Sequence, residues 1–296
     1  MKKKKNKINM KRVLILLVAI AVVTVISMKL NKKQGDKKSV ALENATVQES
    51  NTNENISNES KENEEDSVLE QKLQSGKILN EEGLPVLMYH FFYDKSKDSG
   101  KDGNWIEISN FEEQMKYLAE NDFYFPTWEQ VENYIDGKQE LPEKSVVITV
   151  DDGDPSFFEL AVPIIQKYKI PTTSFVITYW YGNRASDKQE YVSYQSHSYD
   201  MHKAGSNGKG VMLSWDYDKI KDDILLSRDV LGGADIFCYP FGQYNDLDIK
   251  VLKENGYKLA FTTKGGRVKK GSSKYELPRV RISGNTGMTE FKKKVE

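Results

Sequence analysis

The chain has 296 residues, and its 43 lysines and arginines nearly cancel its 44 aspartates and glutamates, giving a net charge of −1. That balance argues neither for nucleic acid nor for a polyanionic partner. One cysteine, Cys238, excludes an intrachain disulfide, so the fold must be held by its core.

Charge is unevenly placed. Lys2, Lys3, Lys4, Lys5, Lys7, Lys11 and Arg12 precede the uncharged run from Val13 to Met28. Residues 1–30 read as an export signal whose basic side stays cytoplasmic and sends the remainder outside. An uncleaved membrane anchor is expected, with a cleaved signal peptide as the alternative; Cys238 lies too far downstream for a lipoprotein. Residues 31–82 are rich in Asn, Glu, Lys and Ser and hold no aromatic residue. Such a segment cannot bury enough apolar surface to offset its chain entropy, and reads as a disordered stalk with a short helix around Val68 to Gln74.

From Gly83 to Glu296 short apolar runs alternate with amphipathic stretches. Strands are expected at 85–90, 145–150, 172–177, 191–197, 235–240, 258–263 and 277–282. Helices are expected after a Ser109/Glu112 capping box, from Thr127, from Ser156, over Asp216 to Leu231, and from Leu247 to a stop at Gly256. The alternation predicts a single α/β domain with a mainly parallel sheet, in which chemistry sits beyond the C-terminal strand ends.

Two patterns there suggest chemistry. In SVVITVDDGDPSF an apolar strand runs directly into Asp151 and Asp152. Taken alone this fits equally well a turn capped by Asp154 or Ser156. The chain has only three histidines, His90, His197 and His202, all near predicted strand ends. A five-residue spacing separates His197 and His202 by about 140° on a helix and puts them on opposite faces of a strand. They converge only if the chain curls between them. One carboxylate and two imidazoles suit zinc or a similar divalent ion, and cobalt, nickel and iron accept the same donors. Without the paired aspartates, both histidines read as ordinary surface residues.

VLMYHFF, TVDDGDPSF, QSHSYDMH and FCYPFG, in that order, resemble the polysaccharide deacetylases that share the NodB-homology domain (carbohydrate esterase family 4), and particularly the branch acting on poly-β-1,6-N-acetylglucosamine. The resemblance spans about Pro85 to Ile282 and implies a distorted (β/α) barrel of about seven strands. It implies that Asp151 is the catalytic base and that Asp152, His197 and His202 ligate the metal. It implies that Phe241 offers a backbone N–H to the oxyanion, with Pro240 shaping the turn and Tyr239 lining the groove. The commoner C-terminal histidine acid is missing from ELPRVRI, and His90 matches the acid of the poly-N-acetylglucosamine branch. The family's usual arginine before Pro-Tyr is also missing, and Arg279 could supply the guanidinium that holds Asp151 ionised. The family's tryptophan-bearing motif is not recognisable in LAFTTKGG.

In the implied amide hydrolysis the ion supplies Lewis acidity, a carboxylate takes the proton of water, a fixed N–H stabilises the oxyanion, and an acid protonates the departing amine. Among the aromatics near these motifs, Trp180 and Trp215 are the first candidates for stacking on sugar rings. The expected partner is an N-acetylated polysaccharide outside the cell, poly-β-1,6-N-acetylglucosamine first and peptidoglycan second. A glycosidase using the paired carboxylates and a non-catalytic carbohydrate-binding relic are the alternatives from other classes.

Overall fold

The computed structural model describes residues 67–296 except 75 and 207. The expected anchor and residues 31–66 of the expected stalk lie outside the described residues. Among the described residues no helix is long and apolar enough to cross a membrane.

Seven parallel strands close into a barrel in the order β1 (Val86–Tyr89), β4 (Val147–Val150), β5 (Thr172–Val176), β6 (Val192–Ser196), β7 (Ile236–Cys238), β8 (Leu259–Gly265) and β9 (Leu277–Arg281), with β9 pairing back to β1. Each lies within or overlaps one of the seven expected runs. Two three-residue strands, β2 (Phe91–Tyr93) and β3 (Trp105–Glu107), form a separate parallel ladder beside the end of β1. They are too short to show a period-2 pattern in sequence.

Alternation along the strands sorts the core into layers. Val86, Val147, Phe175, Ile236, Cys238, Leu259, Phe261 and Leu277 pack together, while the intervening Leu87, Tyr89, Ile148 and Val150 pack in a second cluster with α2 (Ile108–Glu120) and α4 (Val162–Tyr168). Phe237, Tyr239 and Ala260 join a third cluster with α6 (Tyr217–Leu231) and α7 (Asp246–Glu254).

The first cluster also contains Leu69 and Leu79, 1% and 7% exposed, beside Val131, Tyr134 and Ile135 of α3 (Trp128–Ile135). Leu69 belongs to a helix over 67–74, α1, and the compact unit begins at Leu69. The domain therefore starts earlier than Gly83, because two leucines inside an otherwise polar segment are buried in its core.

Local signals explain most helix ends. Thr127 and Gln130 form the capping box of α3, Asp216 caps α6, and Asn245 with Asp248 caps α7. The Ser109/Glu112 box does not form: α2 begins one residue before Ser109, and the Glu107 carboxylate accepts the Ser109 N–H at 3.0 Å. The helix expected from Ser156 starts as a π-helical turn, Phe157–Ala161, before α4. Pro163, which has no N–H to donate, stands at the junction. Helices α5 (Thr178–Ala185) and α8 (Met288–Val295) carry no capping pattern that announces them.

Candidate metal and active site

The strand ends of β1, β4, β6, β7 and β9 bring the candidate residues together. Asp151 and Asp152 leave β4 into a left-handed turn, Asp152 at φ 74° and Gly153 at φ 75°. Aspartate tolerates that region and glycine favours it. A Cβ at residue 153 would also stand 3.0 Å from the Val176 side chain, so both backbone and packing favour glycine there. Capping is present as well: the Asp154 carboxylate accepts the Ser156 N–H at 2.8 Å.

The curl that His197 and His202 need is supplied by Ser198, at φ 73°. Their rings lie 4.8 Å apart between centroids. The Nε2 atoms of His197 and His202 approach Asp152 Oδ1 at 3.4 and 3.6 Å, and the ligand atoms of all three residues fall within 4.8 Å of one another. Asp152 Oδ1 is buried and has no hydrogen-bond partner. An orphaned carboxylate oxygen facing two imidazole nitrogens is costly without a cation to share, and the donor set is one that divalent ions take. His197 Nδ1 lies 2.7 Å from the Cys238 carbonyl, which fixes that nitrogen as the donor and leaves Nε2 free to ligate. Burial above all lowers the His202 pKa to about 4, so its imidazole is neutral and able to ligate at neutral pH.

Asp151 is clamped rather than free. Arg279 donates from Nη1 to Oδ1 at 2.6 Å and from Nη2 to Oδ2 at 2.7 Å. The guanidinium is fully buried and is held in turn by the Thr262 carbonyl and the Thr149 hydroxyl, at 3.0 and 3.1 Å. Burial alone would raise the Asp151 carboxyl, but the Arg279 charge and hydrogen bonds hold it well below the usual carboxylate range. His90 Nε2 stands 3.7 Å from Asp151 Oδ2. Burial lowers the His90 pKa below 6.5, and the neighbouring carboxylate of Asp151 partly opposes that.

Cys238, given no role from sequence, touches this network: its Sγ lies 3.1 Å from Arg279 Nη2 and its carbonyl meets His197. Strand alternation could have found it, since position 238 shares the inward phase with Ile236 while Tyr239 takes the outward one. Tyr239 consequently does not line a groove. It is fully buried, stacks on Tyr244 at 4.7 Å and donates its hydroxyl to the Tyr275 carbonyl.

Pro240 opens the turn Pro240–Gly242, in which Phe241 is held at φ 59°. The turn bonds run from Gly242 N–H to the Tyr239 carbonyl and from Gln243 N–H to the Pro240 carbonyl, and use neither the N–H of Phe241 nor its ring. That ring is 43% exposed and 4.3 Å from His202. Trp180, 48% exposed, presents its edge to His202 at 6.3 Å. Trp215 is not grouped with them: it is half-buried against the third cluster, with the Lys219 ammonium 4.1 Å from its ring centroid.

This geometry disfavours a glycosidase. Asp151 and Asp152 are adjacent in the chain and Asp152 faces two imidazoles, which suits poorly the two-carboxylate mechanisms, whose acids stand apart on either side of a glycosidic bond.

The family model described as polysaccharide deacetylase matches residues 138–260, a span that holds Asp151, Asp152, His197, His202 and the Pro240 turn but neither His90 nor Arg279. Among curated proteins, the poly-beta-1,6-N-acetyl-D-glucosamine N-deacetylase of Staphylococcus aureus (strain MRSA252) is 29% identical over 212 residues, 65% of this chain and 72% of that protein. The protein of the same name from Staphylococcus epidermidis is 29% identical over 206 residues, 63% of this chain and 71% of its own length. Among solved structures, the Streptococcus pyogenes deacetylase PplD in complex with acetate aligns with TM-score 0.62 at 22% identity, over 75% of this chain and 99% of that one. IcaB from Ammonifex degensii aligns with TM-score 0.61 at 26% identity, over 71% of this chain and 96% of its own. Sequence and fold agree in what they liken this chain to: residues 138–260 match the polysaccharide deacetylase family, and the wider domain is similar to carbohydrate N-deacetylases.

Proposed function

We propose that the protein removes acetyl groups from N-acetylglucosamine units of an extracellular polysaccharide, poly-β-1,6-N-acetylglucosamine in the first place, using a divalent ion held by Asp152, His197 and His202. The observation that carries this reading is the orphaned, buried Asp152 Oδ1 facing two imidazole Nε2 atoms beside an Arg279-clamped Asp151. The names of the curated relatives support the choice of polymer. Zinc is the first choice of ion for one carboxylate and two imidazoles.

When bound, the ion supplies Lewis acidity toward the acetyl carbonyl and water. Asp151, kept ionised by Arg279, takes the proton of the attacking water; His90, beside it, gives a proton to the departing sugar amine. The Phe241 N–H, aimed by the Pro240 turn, donates to the developing oxyanion. Trp180 and the Phe241 ring offer apolar faces on which sugar rings stack. Export through residues 1–30, with the run from Val13 to Met28 as anchor and the polar stretch after it as stalk, places this domain outside the membrane, where such a polymer lies.

The test is acetate release by the full chain from β-1,6-linked N-acetylglucosamine oligomers and, separately, from peptidoglycan. Release from the oligomers alone supports the proposal. Release from peptidoglycan alone moves the assignment to the cell wall, and release from neither contradicts it.

A further inference from the structure

The loop between His197 and His202 decides whether the two rings converge, and side chains accept its N–H groups. Its four successive N–H groups, from Ser198, Tyr199, Asp200 and Met201, donate to Ser196 Oγ at 3.2 Å, Asp223 Oδ1 at 2.7 Å, Asp223 Oδ2 at 2.9 Å and Ser198 Oγ at 3.2 Å. On the other side, the carbonyls of Ser198 and Tyr199 accept the Thr178 and Tyr179 N–H groups at the start of α5, at 3.2 and 3.0 Å.

Among the acceptors of these four N–H groups, Asp223 is the one from a distant element. It lies midway along α6, 7% exposed, in the buried stripe Ile220, Asp223, Ile224 and Ser227. Ser227 meets Ser196 through their hydroxyls at 2.7 Å, so the same helix face grips the end of β6 as well. No salt bridge among the described residues includes Asp223. Burial lifts its pKa to about 6 against the pull of the Asp200 and Tyr199 N–H groups. A carboxylate buried without an ion-pair partner is a cost to the fold, which a bland helix–strand contact would not require.

We propose that Asp223 is a positioning residue that organises the His197–His202 loop before the ion arrives, gripping the Tyr199 and Asp200 amides so that His202 faces His197 and Asp152. The inference rests on the metal-site reading above. Asparagine has the same shape but one acceptor oxygen, so it must turn an amide N–H₂ toward one of the two backbone donors.

Zinc affinity of the full chain, measured by competition with a chromophoric chelator, tests it. Asp223→Asn should bind zinc about 10- to 100-fold more weakly than the parent, the range seen when groups behind metal ligands are removed. Asp222→Asn, its exposed neighbour on α6, should bind as the parent does. Equal affinity of parent and Asp223→Asn overturns the inference, whereas a parent that takes up no zinc removes the metal site itself. Should Asp223→Asn fail to fold, hydrogen exchange in the chelator-treated parent decides. Slow exchange of the Tyr199 and Asp200 amides is expected, and exchange at the rate of an unstructured peptide overturns the inference.

Discussion

The guanidinium of Arg279 spans both carboxylate oxygens of Asp151, at 2.6 and 2.7 Å, joining the middle of β9 to the end of β4 across 128 positions of chain. Two parallel charge-assisted bonds fix the orientation of the carboxylate as well as its ionisation. Removing the guanidinium leaves burial as the dominant influence, and burial raises a carboxyl pKa. A base works only when deprotonated. In Arg279→Ala the acidic limb of the pH–rate profile should therefore move to higher pH, and stability should fall by about 3–5 kcal/mol as one partner of a buried pair is lost. An unchanged profile would show that Arg279 does not set the state of Asp151.

His90 approaches the same carboxylate, its Nε2 standing 3.7 Å from Oδ2. Its His90→Asn variant should lose about 10²- to 10⁴-fold in kcat while binding zinc as the parent does, since His90 is outside the Asp152, His197 and His202 cluster. An acid acts in its protonated form, so the decline of the parent rate with rising pH that belongs to His90 should flatten in the variant. A variant with full kcat would return the acid role to another group.

In the core, Leu69 is buried with Val131, Tyr134 and Ile135. Leu69→Ala should cost about 2–5 kcal/mol in denaturant unfolding, as large-to-small core changes do, with kcat unchanged because no site residue touches it. A chain shortened to begin at Gly83 should be destabilised further, having lost Leu79 too. Equal stability of the shortened and longer chains would put the boundary back at Gly83.

Much of this organisation is legible in the sequence because it rests on local patterns. Short apolar runs bounded by turn residues mark all seven barrel strands, and Thr127, Asp216 and Asn245 mark the helices that they cap. The paired aspartates and the three histidines are visible through scarcity and spacing. What was not legible depends on the third dimension. Tyr239 sits in a motif expected to line a groove, yet the period of two along β7 turns it outward and Cys238 inward. Leu69 and Leu79 are lost among charged neighbours that dominate the composition. Asp223 does leave a trace, an acid in the apolar stripe of α6, but nothing in sequence says which amides it meets.

Exposed aromatics separate in the same way. Trp180 flanks His202, whereas Trp215 packs against the third cluster under Lys219. Trp180→Ala should raise KM for an oligomeric substrate up to about tenfold, consistent with an aromatic contact worth ~0.5–1.5 kcal/mol, and Trp215→Ala should leave KM near the parent value. The reverse ranking would relocate the sugar-binding face.

The most direct test of the central claim compares acetate release from β-1,6-linked N-acetylglucosamine oligomers by the full chain before chelation, after chelation and after zinc is returned, alongside Asp151→Asn. The account predicts that chelation abolishes release, that zinc restores it, and that Asp151→Asn binds zinc yet releases no acetate. Release that survives chelation, or an active Asp151→Asn, would contradict it.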